Sequence, residues 1–216
     1  MKLNKIAIAC GIALMGSASA LSAAEIQKTT TVSGGTMVTE TSTPTAWATT
    51  TTTTTTEPSS EFSANIGVTS NYLWRGVTQT DDGPAVSGGV DWAHSSGFYL
   101  GGWVSNIDWA IEDVGSGAEV DLYGGFAGEY EDFGYDVGLI YYWYPVTGYE
   151  DSDFGELYVK GSWKWFSAGL AYTLGGDADD DAPFSEGDIY SHIGASFEFA
   201  ESWTIGATVG YYDFDE

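Results

Sequence analysis

From Phe62 onward, apolar and polar residues alternate along this chain one by one. In the first run, the apolar residues Phe62 and Ile66 occupy even-numbered positions. The polar residues Ser63, Asn65 and Arg75 occupy odd-numbered positions. Because successive side chains of a β-strand point to opposite faces, a period of two predicts strands with one apolar and one polar face. Runs of this kind, nine in all, cover residues 62–75, 86–93, 98–104, 119–130, 133–144, 157–163, 165–173, 188–199 and 203–212. No helix is predicted between them.

The connections between these runs alternate in length. Long, acidic connections such as residues 75–84 and 174–187 are separated by short ones such as 94–97 and 131–133. This pattern is typical of outer-membrane barrels, which have short periplasmic turns and longer external loops. We therefore expect an all-β fold, an antiparallel up-and-down transmembrane β-barrel, with about ten to twelve strands in a complete chain because such barrels usually have an even strand number. A soluble sandwich or lipocalin-like barrel alternates as well and is the competing hypothesis.

The first residues predict export from the cytoplasm. Lys2 and Lys5 precede an apolar run and then small residues, which is the pattern of a secretory signal peptide, with cleavage expected after Ala24. The predicted organisation is a signal peptide over residues 1–24, a threonine-rich disordered leader over 25–60 and a β-barrel domain over 61–216. The leader has little apolar surface to bury, which favours disorder over an added strand. The chain ends on GYYDFDE without the expected terminal aromatic strand, so we expect the barrel domain to be truncated at its C-terminus.

The charge of the chain restricts its partners. It has 31 acidic and 6 basic residues and a formal net charge of -25. Nucleic acid is excluded as a partner because a polyanion would be repelled. Acidic loops would instead concentrate cations, so the predicted partners are outer-membrane lipids and small solutes or cations.

Aromatic residues are frequent where the predicted strands meet their turns. Outer-membrane barrels carry such belts at both membrane interfaces. The residues predicted to form the belts are Tyr72, Trp74, Trp92, Phe133, Trp143, Trp163 and Trp203. Together with the signal peptide, the belts predict that the protein is located in the outer membrane.

Residues 70–106 resemble a known family. Their sequence is SNYLWRGVTQTDDGPAVSGGVDW, continued by SGFYLGGWVSN. It is similar to the TorF-type porin family of proteobacteria, whose members carry an S-N-Y-aromatic-R-G-x-S/T-Q-T-D-x-G-P-A-x-x-G-G-x-D opening followed by G-F-Y-x-G-x-W-x-S-N. The rest of the chain matches only by its pattern of short strands, and the threonine-rich leader departs from the family pattern. The resemblance implies an outer-membrane barrel of the porin class.

Arg75 is the sole arginine and has the parity of the polar face. We predict that it faces the lumen at the outer end of the first strand, where it pairs with Asp91 or Asp121, and that residues 78–84 form the first external loop. In the alternative, Arg75 lies in that loop and extends to lipid headgroups beside the aromatic belt. The other residues predicted to face the lumen are Asn65, Asn71, Glu119, Asp136, Tyr190 and His192.

One acidic loop has spacing similar to a calcium-binding loop. Asp177, Asp179 and Asp181 stand at alternate positions, and Asp188 follows eleven positions after the first. Oxygen ligands in such a pattern surround Ca²⁺ in helix-flanked loops. Ala182 stands where glycine makes the sharp turn and no flanking helix is predicted, so a solvated acidic loop is favoured and no metal site is predicted.

No catalytic motif accompanies His94 or His192. We therefore predict no enzyme activity, no catalytic residue and no cofactor. The predicted function is a porin-like passive pathway for small solutes or ions with a weak preference for cations. Two alternatives are a non-conducting structural or surface barrel whose acidic loops bind divalent cations or partners, and a soluble periplasmic ligand-binding β-barrel.

Overall fold

The computed structural model describes residues 59–110, 115–146, 148–177, 184–199 and 203–214, together with short strand segments at 6–7, 26–27 and 30–32. In chain order, the strands are β1 Ile6–Ala7, β2 Ile26–Gln27, β3 Thr30–Val32, β4 Ser60–Thr69, β5 Leu73–Trp74, β6 Val77–Thr78, β7 Ala85–His94, β8 Phe98–Ile107, β9 Gly117–Tyr130, β10 Phe133–Trp143, β11 Phe154–Trp163, β12 Phe166–Gly176, β13 Ile189–Phe199 and β14 Trp203–Asp213. A single 3₁₀ turn, Glu150–Ser152, occurs in the described residues. No helix in this part of the chain is long and apolar enough to cross a membrane.

Most of the chain forms one sheet of twelve strands. Its order is β1-β14-β13-β12-β11-β10-β9-β8-β7-β4-β2, with β3 also beside β4. All of its pairings are antiparallel, so the prediction of an all-β antiparallel fold is confirmed. In the described residues β4 and β14 do not pair with each other, because β14 borders β1 and β4 borders β2 and β3.

Three short segments before residue 59 extend the two edges of the sheet. Ile26 lies opposite Val68 and Thr30 lies opposite Ala64, so β2 and β3 pair with β4 in the same register. Ile6 lies opposite Tyr211 in β14. The rest of the predicted signal peptide and leader lies outside the described residues.

The long sheet curls strongly, so that its two edges, on the β4 side and the β14 side, approach each other. Arg75 lies six residues after the end of β4, which is near one edge of the sheet, yet its side chain contacts Tyr212 in β14 near the opposite edge. Tyr72 likewise contacts Glu119 in the middle of the sheet. The curl gives the sheet a concave face, which forms an interior, and a convex face.

The two faces of the sheet differ in which side chains they expose. On the convex face, Val90 is 63% exposed, Leu139 54% and Ile193 66%. On the concave face, the acids Glu119 and Glu156 are only 2% and 1% exposed. Fully buried residues are most often apolar and acids are rarely buried unless they are paired, so this distribution of apolar and acidic side chains between the two faces is unusual.

The two ends of the curled sheet differ in their connections. At one end, called the turn end, residues 95–97, 131–132 and 164–165 make tight turns. At the other end, called the loop end, the connections are long, as in residues 70–84 and 144–153. The alternation of long and short connections that the sequence predicted is therefore present along the described strands.

Glycines on the concave face make room for the aromatic rings of neighbouring strands. Tyr123 in β9 lies directly opposite Gly101 in β8, and Tyr158 in β11 lies opposite Gly138 in β10. A Cβ added at Gly101 would overlap the Tyr123 ring and would lie 2.6 Å from Asp91 Oδ1. The close packing of the interior therefore depends on the missing side chains at these glycines.

We expect Gly101→Ala to destabilise the fold by about 1–3 kcal/mol, because the added methyl group overpacks the interior against the Tyr123 ring. Gly115→Ala is the matched control, since a Cβ at Gly115 would have no neighbour within 4 Å. Urea titrations of the two variants and the parent chain, followed by tryptophan fluorescence, measure the difference. Equal stabilities of the two variants would contradict the packing role of Gly101.

Candidate functional site

A small hairpin projects from the loop end into the interior. β5 and β6 pair as a separate two-stranded sheet, with Arg75 and Gly76 as the turn between them. Both turn residues have positive φ, 50° for Arg75 and 84° for Gly76, as in the type I′ turns that close two-residue hairpins. A positive φ is uncommon for arginine, and at this position it coincides with the many contacts of the Arg75 side chain described below. We call residues 73–78 the Arg75 hairpin.

Arg75 forms a two-pronged ion pair with Glu156 in β11. Its Nη1 donates to Glu156 Oε1 at 2.8 Å and its Nη2 donates to Oε2 at 2.5 Å. Nη1 also donates to the Tyr212 hydroxyl. The prediction that Arg75 pairs with Asp91 or Asp121 is therefore wrong, because the hairpin carries it away from the wall of β4 and across the interior.

Two aromatic rings enclose the guanidinium group. Arg75 Cζ lies 4.2 Å from the centre of the Trp74 ring and 4.3 Å from that of Tyr190, within the range of cation–π attraction. Burial alone would lower the pKa of Arg75, but its hydrogen bonds to Glu156 outweigh that effect and raise the pKa. Arg75 is therefore a permanent positive charge inside the protein.

An aromatic cluster fills the interior at the loop end. Its buried members are Ile107, Tyr142, Tyr144, Tyr149 and Phe154. Trp74 packs into it, with ring centres 5.6 Å from Tyr142 and 5.4 Å from Phe184. Tyr72 lies on the same side, 5.3 Å from Trp103. The prediction that Tyr72 and Trp74 belong to an interface belt is corrected: the chain turns inward after β4 ends, so the outward parity of β4 does not extend to them.

The base of the Arg75 hairpin is held by the residues that follow β8. The Gln79 backbone N–H donates to the Tyr72 carbonyl at 2.7 Å, which closes the segment on itself. The Trp109 indole N–H donates to Gln79 Oε1 at 2.9 Å, and the Asp108 backbone N–H donates to the Gln79 carbonyl at 2.7 Å. The hairpin is thus fixed both at its tip by Glu156 and at its base by the residues that follow β8.

Two buried acids lie beneath the base of this hairpin. Glu119 accepts hydrogen bonds from the hydroxyls of Tyr72 at 2.6 Å and Tyr144 at 2.9 Å. Burial and the nearby Glu119 carboxylate raise the pKa of Tyr72, so its hydroxyl stays protonated and donates. Asp121, two positions further along β9, is 8% exposed, and its Oδ1 has no hydrogen-bond partner in the described residues.

The interior is more open towards the turn end. Tyr123 donates to Asp91 Oδ1 at 2.5 Å, and Tyr99 donates to Asp136 Oδ1 at 2.6 Å. Lys160 lies 3.8 Å from Asp136, and its side chain is 52% exposed. The interior is therefore filled at the loop end and accessible to solvent at the turn end.

The other residues predicted to face the lumen occupy different positions. Asn65 lies on the concave face beside Gly89, and His192 lies there over Gly169. Tyr190 stacks on His192 and contacts Arg75. Asn71 is not part of the wall: it follows β4 and donates to Asp82 Oδ1 at 2.8 Å, which stabilises the loop before β7.

Most of the predicted belt residues lie on the convex face. Phe133 is 49% exposed, Trp143 44%, Trp163 52% and Trp203 44%. Trp92 is partly exposed and lies against His94. At the turn end, Phe133 pairs in register with Tyr130 on one side and Trp163 on the other, so exposed aromatic side chains lie side by side on neighbouring strands.

The acidic loop before β13 is only partly described. Asp179 and Asp181 lie outside the described residues. Asp188 is buried, and its Oδ2 accepts a hydrogen bond from the Phe184 backbone N–H at 2.7 Å. Asp177 is exposed. Among the described residues, no group of three or more acidic, histidine or cysteine side chains is placed to hold a metal ion.

The Arg75 hairpin is the part of the candidate site that was not predicted from the sequence. A signal for it was present, because Arg-Gly stands between the short β-forming pairs Leu73-Trp74 and Val77-Thr78, and two turn residues between such pairs predict a hairpin. The predicted external loop over residues 78–84 begins at the last residue of β6.

Comparison with known proteins identifies the family of the chain. The model of a family described as "Bacterial protein of unknown function (Gcw_chp)" matches residues 53–216. No curated protein and no solved structure matches the chain. Because the family match covers well over half of the sequence, the protein belongs to the bacterial Gcw_chp family, whose function is unknown.

Proposed function

We propose that the protein is an outer-membrane β-barrel that provides a narrow passive pathway for small solutes or ions, restricted at its loop end by the Arg75 hairpin. The observation that carries the proposal is the reversal of burial between the two faces of the sheet. Apolar side chains such as Val90 and Leu139 are exposed on the convex face, whereas Glu119 and Glu156 are buried on the concave face. Lipid on the outside and a polar interior account for both.

The dimensions of the strands support a membrane location. Outer-membrane strands need about 9–11 residues to cross the bilayer when tilted. The long strands of this protein have 10 to 14 residues. Their apolar face is bordered at the turn end by exposed aromatic residues such as Phe133 and Trp163, which suits the membrane–water interface.

The interior supports a restricted pathway more than a wide channel. About eight strands leave an interior that side chains can fill, whereas aqueous porins need about sixteen. Here the loop end is closed by the hairpin and its aromatic cluster, while the turn end is open. The resemblance to TorF-type porins favours transport, and the acidic character of the chain favours cations.

A second candidate function is a non-conducting structural barrel. It is favoured by the dense packing around Trp74 and by the two-pronged Arg75–Glu156 pair, which together block the loop end. In this case the protein would span the membrane without passing solutes.

Fractionation and single-channel recording test these proposals. We expect the protein in the outer-membrane fraction, with a gel mobility that changes on heating, because folded barrels resist denaturation by detergent. In planar bilayers, we expect small, infrequent steps with a cation bias. A membrane-located protein without any steps would support the structural barrel. Recovery in the soluble periplasmic fraction would contradict both membrane functions and favour a periplasmic ligand-binding barrel.

A further inference from the structure

The two outermost long strands of the sheet, β4 and β14, run in the same direction. Nine long strands of the described chain lie side by side, β4 followed by β7 to β14, and each is antiparallel to the next. Because the direction reverses at every step, the first and the ninth strand both run from the turn end to the loop end. An antiparallel barrel therefore needs one more strand between β4 and β14.

The proposed membrane location makes an open seam between β4 and β14 unfavourable. An unpaired strand edge presents backbone N–H and C=O groups, and lipid offers no hydrogen-bond partner for them. In the structure, the outer edge of β14 is paired with β1, Ile6–Ala7. These two residues belong to the predicted signal peptide, so we expect export to remove them and uncover that edge. Another part of the chain then has to pair with β14.

A segment of the threonine-rich leader already lies along the edge of β4. β2 and β3 are antiparallel to β4, so they run from the loop end to the turn end. β1 runs in this same direction beside β14. A strand that lies beside β4 in this orientation therefore has the direction that the outer edge of β14 accepts.

The sequence of this segment agrees with the two faces of the sheet. Ile26 stands opposite Val68, which is 58% exposed on the convex face, and Gln27 stands opposite Gly67, which is buried on the concave face. The other register pairs, which continue the alternation between the faces, are Thr30–Ala64, Thr31–Ser63 and Val32–Phe62. Isoleucine, threonine and valine all favour strands. The segment is thus suited in composition and in register to be a strand of the wall.

We propose that residues 26–32 form a tenth strand of the barrel, which pairs with β4 on one edge and with β14 on the other and so closes the seam. Ten strands give the even number that is typical of bacterial outer-membrane barrels. The inference rests on the proposed membrane barrel, but it does not depend on conduction. It assigns a structural role to a part of the leader that was predicted to be disordered.

Proline substitutions at two neighbouring positions test whether both edges of this strand are paired. In an antiparallel strand, the backbone N–H groups of successive residues point alternately to the two neighbouring strands. One of Thr30 and Thr31 therefore donates towards β4 and the other towards β14. Proline removes the donor and is tolerated in a strand where the N–H group faces solvent. We expect Thr30→Pro and Thr31→Pro each to lower the yield of folded protein in the outer-membrane fraction, measured by the heat-dependent change in gel mobility.

Thr51→Pro is the matched control, because it makes the same change in the leader outside this segment. Its yield should equal that of the parent chain. A disulfide provides a second measurement in a chain without proline substitutions. Cys10→Ser removes the native thiol, and Thr30→Cys with Ala64→Cys then places two cysteines directly opposite each other. We expect this pair to form a disulfide on mild oxidation and to resist alkylation, because directly opposite strand positions are close enough for the bond.

A loss of folded protein in only one of Thr30→Pro and Thr31→Pro would overturn the proposal, because the segment would then be an edge strand that leaves β14 uncovered. Equal yields of all three proline variants, or no disulfide between the cysteines at positions 30 and 64, would overturn it as well and favour direct parallel pairing of β4 with β14. Recovery of the parent chain in the soluble fraction would contradict the proposed function instead. The same variants, compared by urea titration of that soluble protein, would still test the closure.

Discussion

Replacing Arg75 with alanine is expected to convert small, infrequent conductance steps into larger and more frequent ones. The side chain holds the tip of the hairpin to Glu156 and to the Tyr212 hydroxyl across the interior. Without it, a tip residue with φ of 50° loses the contacts that offset its strained backbone, so we expect the tip to move away from β11 and β14 while Gln79 still holds the base. Single-channel recordings of the parent and variant proteins at equal insertion measure the change.

The controls for this experiment separate anchoring from charge. Arg75→Ala leaves Glu156 as an unpaired buried charge, which costs about 3–5 kcal/mol and could reduce the folded yield. The double variant Arg75→Gln and Glu156→Gln removes the anchor without leaving that charge. Lys160→Ala removes an equal positive charge from the interior but does not touch the hairpin. If Lys160→Ala raises conductance as much as the Arg75 variants do, the hairpin is not the restriction.

Leu139→Arg is expected to reduce membrane insertion strongly. Leu139 is 54% exposed and lies near the middle of β10, where the convex face would meet the centre of the bilayer. An arginine on the lipid face costs about 2–4 kcal/mol at the bilayer midplane and about 0–1 kcal/mol near the interface. Folding into lipid vesicles, followed by the heat-dependent change in gel mobility, measures the loss.

Tyr130→Arg is the control for this prediction. Tyr130 is the last residue of β9, lies at the turn end and is 73% exposed. Its substitution should therefore be nearly neutral in lipid. A water-soluble protein would tolerate both substitutions equally, because each replaces an exposed side chain with a more soluble one. Equal, small effects of Leu139→Arg and Tyr130→Arg would therefore contradict the membrane proposal.

The strands and their faces were predictable because a period of two is a local property of the sequence. In the run around Leu139, the structure exposes Val137, Leu139 and Tyr141 and covers the positions between them, although Ile140 interrupts the alternation of apolar and polar residues. The alternation of short and long connections was equally visible. These features depend on residues that are neighbours in the chain, so no knowledge of the overall shape was needed.

The partner of Arg75 could not be predicted for the opposite reason. Glu156 is 81 residues away in the sequence, and it comes near Arg75 only because the sheet curls. It also stands just before the run that was predicted to begin at Leu157, so it was not considered as a residue of a strand face. Tyr72 and Trp74 were predicted to face outward because the alternation of β4 was continued past its end at Thr69. The chain bends there, so alternation no longer determines which way their side chains point.

The Arg75–Glu156 contact also determines the order in which the parts of the protein can assemble. Closing a loop of 81 residues is entropically unfavourable until intervening strands have paired, and the arginine also needs Tyr190 and Tyr212 on the last two strands. The hairpin can therefore seat only after β11 to β14 are in place. We therefore expect the loop end to close late in assembly, after the strands that carry Glu156, Tyr190 and Tyr212 have paired.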